Sequence, residues 1–163
     1  MKYDDVEFLK QKLKVLLDAK CTRIGRSCNL VWFYFHIDDK IFNINVQSAL
    51  RFTKNGTILC ANLDMYEPKK MYLNDPSFDY KTFNWDVQGE NYFDEWGRTE
   101  GRQLKDAIVK QISVSDFGDL HITFDNDIKL EIYNNNSLSE SWRFFERTSD
   151  DDHTVVLGNV LEE

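Results

Sequence analysis

Residues 30–46 read Leu30-Val31-Trp32-Phe33-Tyr34-Phe35-His36-Ile37-Asp38-Asp39-Lys40-Ile41-Phe42-Asn43-Ile44-Asn45-Val46. In an extended chain Val31, Phe33, Phe35 and Ile37 share one face, with Leu30, Trp32, Tyr34 and His36 on the other. Beyond the polar break at Asp38-Asp39-Lys40, Phe42, Ile44 and Val46 alternate with Asn43, Asn45 and Gln47. A period of two on both sides of a turn predicts an antiparallel hairpin with one wet face.

The same pattern continues outward. Leu50–Thr53 and Thr57–Ala61 flank Asn55-Gly56, a pair that tolerates the positive φ angles of a two-residue hairpin turn. Ile108–Val114 leads to a turn near Gly118, and Leu120, Ile122 and Phe124 then alternate with His121 and Thr123. Ile128, Leu130 and Ile132 alternate with Lys129 and Glu131, and Trp142–Glu146 and Thr154–Leu157 complete about eight or nine strands.

Upstream, Leu9, Leu13, Leu16 and Leu17 recur at helical spacing, with Lys10, Lys12, Lys14 and Lys20 off that stripe. Asp4 and Glu7 have the spacing of a capping box. The stripe faces a sheet rather than a membrane, because Asp4, Asp5, Glu7 and Asp18 dilute the basic side. The predicted fold is α+β, an N-terminal helix packed on a mostly antiparallel twisted β-sheet or a partly open barrel. One domain spans residues 1–163.

Residues 63–104 carry both prolines, Pro68 and Pro76, and no sustained period. Short helices near Asn91–Trp96 or Arg102–Ala107 are the elements this stretch allows. So long a connection inside one domain is the first place to look for function.

The net charge is −8 and unevenly placed: residues 1–60 hold ten Lys/Arg against six Asp/Glu, residues 61–163 ten against twenty-two. Such a field repels nucleic acid and anionic lipid, and speeds encounter with a basic protein partner. No apolar run reaches the ~20 residues of a membrane span, and residues 1–20 lack the apolar stretch of a signal peptide. With three sparse cysteines, Cys21, Cys28 and Cys60, the chain reads as cytoplasmic and held together by neither disulfide nor metal.

Motifs of catalysis are missing: there is no Gly-x-Ser-x-Gly, no phosphate-binding glycine loop and no His-Glu-x-x-His. His36 and His121 sit on partly exposed strand faces, and His153 follows Asp150-Asp151-Asp152, consecutive acids whose side chains diverge. Arg23 and Arg26 stand near Cys28 and are able to activate its thiol, although a packing role suits all three cysteines. Glu140 and Arg143 are spaced to pair, either within the fold or across an interface, in a strand that closes the sheet.

The most unusual stretch is residues 75–100, which interleaves seven acids with seven aromatics. Rings supply contact area at low entropy cost and carboxylates steer a basic partner, so Trp85, Asp86, Tyr92, Asp94, Glu95 and Trp96 form the expected partner-binding set. The competing reading tucks Phe83, Trp85, Phe93 and Trp96 beneath the long segment as a satellite of the core. Two other classes stay open: an enzyme or small-ligand-binding domain with a pocket between the sheet and residues 63–104, and a homo-oligomer joined through the Trp32/Tyr34 face.

Several short runs also carry a resemblance. They are Ile24-Gly25-Arg26, Leu30–Phe35, Asn62-Leu63-Asp64-Met65-Tyr66-Glu67-Pro68, Gly118-Asp119-Leu120-His121-Ile122, Leu130-Glu131-Ile132-Tyr133, Glu140-Ser141-Trp142-Arg143-Phe144-Phe145 and His153-Thr154-Val155-Val156. Together they resemble a widespread, uncharacterised family of small bacterial proteins similar to the immunity proteins of polymorphic toxin systems. The resemblance implies a small acidic inhibitor that binds and blocks one toxin; separately, the residues call for no cofactor. It assigns no site residues.

Overall fold

A computed structural model describes residues 1–147 and 153–162, so the acidic run Asp150-Asp151-Asp152 lies outside the described residues. Helix α1 (Tyr3–Leu13) continues through a 3₁₀ turn (Lys14–Leu16) into β1 (Lys20–Ser27), β2 (Leu30–Ile37), β3 (Lys40–Val46), β4 (Ala49–Lys54) and β5 (Thr57–Ala61). Two 3₁₀ turns (Asn62–Tyr66 and Lys70–Tyr72) precede α2 (Tyr92–Arg98) and a third turn (Glu100–Leu104). The chain then forms β6 (Ala107–Val114), β7 (Leu120–Phe124), β8 (Lys129–Tyr133), β9 (Glu140–Glu146), β10 (Thr154–Leu157) and β11 (Val160–Glu162).

All neighbouring strands are antiparallel, in the order β11-β10-β9-β3-β2-β1-β6-β7-β8-β4-β5. The fold is α+β, and its sheet is open, with β11 and β5 at the edges. Two wings meet at a narrow seam, where β1 and β6 share only the pairs Lys20↔Ile108 and Cys21↔Ala107. Asp18 and Ala19 extend that seam through backbone bonds to Val109.

The sheet curls so that its wings face one another. Phe33 on β2 and Phe52 on β4 stand five places apart in strand order, yet their ring centroids are 6.1 Å apart. Val31, Phe33 and Phe35 fill the core from one wing; Leu120, Ile122, Leu130 and Ile132 fill it from the other. Burying each such side chain stabilises the fold by about 1.5–3 kcal/mol.

The 30–46 hairpin forms as its alternation predicts, with Phe33 opposite Ile44 and Phe35 opposite Phe42. Its polar face is only partly wet: Asn43 is buried, opposite Phe145 of β9. Asn55 and Gly56 both take positive φ, 51° and 76°, as the tight turn between β4 and β5 requires. Trp142 closes β9 onto the core and donates its indole N–H to the carbonyl of Gly118 at 2.9 Å.

The structure corrects the reading of the N-terminal helix. The buried stripe is Val6, Leu9, Leu13 and Leu16, while Leu17 is exposed because the helix has already ended. The N-cap is Lys2 and makes no side-chain cap bond, so Asp4 and Glu7 form no capping box; Asp4 and Asp5 sit in the first turn beside the positive helix end.

Two strands had no signature in the sequence, β1 and the three-residue β11. β1 carries polar residues on both faces, and Gly25 within it lies under the Trp32 ring, where a Cβ would overlap the indole. Among the described residues, no helix is long and apolar enough to cross a membrane.

Candidate functional site

Residues 62–104 are tied to the sheet by one buried cation. Arg26 projects from β1 with its side chain 2% exposed. It grips Asp94 of α2 through two bonds, Nε to Oδ1 at 2.9 Å and Nη2 to Oδ2 at 2.8 Å. Two parallel N–H donors facing two carboxylate oxygens make the strongest geometry open to an ion pair. The same guanidinium donates to the carbonyls of Cys28 (3.1 Å), Trp85 (3.1 Å) and Asp86 (3.3 Å), and it reaches the Asp86 carboxylate at 3.4 Å. The bond to Asp94, more than any other contact, raises the Arg26 pKa above its ordinary value.

Asn91 completes the knot. It is fully buried, caps α2 by accepting from the Asp94 N–H at 2.8 Å, and donates to the Trp85 carbonyl at 2.8 Å. Asp94 also accepts from the Gly89 N–H at 2.7 Å. The segment's backbone bonds are mostly local turns, and side chains whose polar groups are satisfied fix it to the sheet.

The six residues of the expected partner-binding set have separate fates. Trp96 is 1% exposed and stacks on Phe52 at 4.7 Å, so its ring belongs to the core. Asp94 is occupied by Arg26. Glu95 accepts from the Lys70 backbone N–H at 2.9 Å, and Lys70 Nζ lies 4.9 Å above the Tyr92 ring. Trp85 is half-buried edge-to-face with Tyr66 at 4.9 Å, and the Asp86 carboxylate is half exposed.

The outer part of the segment is different. Leu63, Tyr66, Met71, Leu73, Tyr80 and Val87 are all exposed large apolar side chains. Glu67, Asp75 and Asp79 are exposed among them and, within the described residues, form no ion pair. Beneath them Phe78 stacks on Tyr72 at 4.8 Å and touches Tyr80 and Phe83, a local cluster that shapes the loop. Ser77 donates to Asp75 from both hydroxyl and backbone, holding its carboxyl below the usual range.

A cleft of about 380 Å³ opens between β1 and the stretch from α2 to Lys105. Trp32 forms one wall, and Arg23, Arg98, Arg102 and Lys105 stand around it. Arg98, Arg102 and Lys105 were not singled out in the sequence, although their i, i+4, i+7 spacing within an acidic half is a readable signal. Arg23 was missed as a lining residue because β1 was not recognised as a strand.

Other candidate chemistry is dispersed. Burial pushes the Cys21 thiol up to about 12 and raises that of Cys60 as well. Cys28 is exposed, with its Sγ 4.0 Å from Asp86; Arg26 reaches its carbonyl instead of its thiol. His121 lies 3.8 Å from Glu131, and His153 stacks on Phe145 at 3.9 Å. Glu140 and Arg143 pair within the fold, Nε to Oε1 at 2.6 Å, which lowers the Glu140 pKa. On the outer face Arg23 covers Trp32 and Arg147 covers Tyr34, so neither ring is bare.

No protein-family model, curated protein or solved structure matches this chain.

Proposed function

We propose that this protein is a non-enzymatic protein-binding domain that recognises a basic protein partner through residues 63–87. The observation that carries this reading is the exposure of Leu63, Tyr66, Met71, Leu73, Tyr80 and Val87 on one stretch of chain. Exposed apolar side chains gathered in this way are the raw material of an interface. Glu67, Asp75 and Asp79, interspersed with them, select a cationic partner and accelerate encounter. An immunity-type inhibitor of a basic bacterial toxin fits this surface, the net charge of −8 and the small size.

The test is capture of the tagged chain's partner from its host at low salt, followed by association kinetics of the purified pair. The expected partner is one stoichiometric protein of net positive charge. Glu67→Lys, Asp75→Lys and Asp79→Lys together are expected to slow association about tenfold or more and to flatten its salt dependence. An unchanged association rate and salt response would overturn the placement. Asp94 is unsuitable for this test, since reversing it would strand the buried Arg26.

A further inference from the structure

The cleft between β1 and α2 has the opposite sign to the rest of the chain. Five of its lining side chains are cationic (Arg23, Arg26, Arg98, Arg102 and Lys105) and one, Asp94, is anionic, in a protein of net charge −8. Arg26 and Asp94 neutralise each other through their double bond of donors. The remaining four are exposed and, among the described residues, join no ion pair. Elsewhere Lys10, Lys40, Arg51, Lys69 and Lys110 each reach a carboxylate.

Four unneutralised cations around one concavity repel each other, and the field of a concave wall is focused toward its centre. A second observation points the same way. Trp96 lines this cleft and is 1% exposed, yet its indole N–H has no acceptor among the described residues. Buried donors are almost always paired, so this one, in the wall of the cleft, is available to an acceptor that a ligand or water supplies.

We propose that this cleft binds a small oxyanion bearing two or more charges, of the phosphate or polycarboxylate class. The forked N–H donors of Arg23, Arg98 and Arg102 match the paired oxygens of either group, and Lys105 adds a compact charge. A volume of about 380 Å³ admits a small molecule, not a polymer. Nucleic acid is disfavoured by the surrounding negative field. The site is separate from residues 63–87, so its failure would leave the partner-binding reading untouched.

The test is titration of the isotope-labelled full chain with pyrophosphate and, separately, with citrate, followed by NMR at about 50 mM salt to limit screening. Saturable shifts confined to residues 22–26 and 93–105, together with a moved Trp96 indole proton, are expected. The triple variant Arg98→Gln/Arg102→Gln/Lys105→Gln should weaken binding at least about tenfold, because charge-assisted bonds are the strong ones. Its thermal midpoint should stay at that of the parent chain, since all three side chains are exposed. Preference for pyrophosphate assigns the phosphate class, and preference for citrate the polycarboxylate class. Shifts scattered over surface lysines, no saturation with either anion, or equal affinity in the triple variant would overturn the proposal.

Discussion

In the ladder of β2, β3 and β9, backbone pairs with backbone, residue by residue from Val31↔Val46 to Asn43↔Phe145. Across residues 62–104 the backbone bonds are mostly single local turns, such as Tyr72 N–H to the Lys69 carbonyl and Val87 N–H to that of Asn84, and side chains add the longer ties: Glu95 takes the Lys70 N–H, Asp94 that of Gly89, and Arg26 the carbonyls of Trp85 and Asp86. The first arrangement enforces a period of two, because every second side chain must enter the core. The second enforces no sustained period, because its backbone turns are isolated and each longer tie is set by one side chain reaching one atom. The sheet is therefore a cooperative lattice, and the segment is a set of individual tethers laid over it.

Three substitutions sharpen that comparison, in decreasing order of effect. Trp142→Ala removes a fully buried ring and its bond to the Gly118 carbonyl. A loss of about 4 kcal/mol is expected in denaturant unfolding, spread across the whole domain as one transition. Asp94→Ala leaves the buried Arg26 charge with only its longer contact to the half-exposed Asp86 carboxylate, at an expected cost of about 3 kcal/mol. Hydrogen exchange should show that loss as faster exchange in residues 85–98, with the β2–β3 amides still protected. Uniform loss of protection in both regions would break the distinction between lattice and tethers.

The smallest effect concerns acid. Arg51 donates to Glu131 at 2.8 Å, and this bond chiefly holds the Glu131 pKa below its ordinary value. A lowered carboxylate contributes stability above the ordinary glutamate value of about 4.3, and that contribution is lost as pH falls through the lowered value. Arg51→Gln should therefore lower stability only slightly at neutral pH, the pair being partly exposed. The gap between variant and parent should close in acid. A gap that persisted below the lowered value would show that Arg51 acts by packing on Tyr133, over which its guanidinium also lies.

The same contrast explains what could be read in advance. β5 and β10 coincide with their sequence ranges, and Asn55-Gly56 makes its turn, because alternation and turn chemistry are local properties. β1 was silent: its partners are chosen by the seam and by Arg26, which has to meet Asp94, sixty-eight residues away. Of the short helices allowed near Asn91–Trp96 or Arg102–Ala107, the first is met by α2, whereas the second is a 3₁₀ turn shifted to Glu100–Leu104, with Ala107 already opening β6. The reading that tucks Phe93 and Trp96 beneath the segment agrees with their burial, but the pairing of Asp94 with Arg26 was not legible, since an acid at that position looks alike whether it faces a partner or the protein's own core.

The strand order also has a consequence for synthesis. β3 is complete at Val46, yet the strand that covers its far edge, β9, begins only at Glu140. At about 5–20 residues per second, a ribosome needs roughly 5–20 s to bridge that gap. For that interval the emerging chain carries a finished aromatic hairpin with one bare edge. The nascent protein must therefore be kept from its copies on neighbouring ribosomes until β9 arrives.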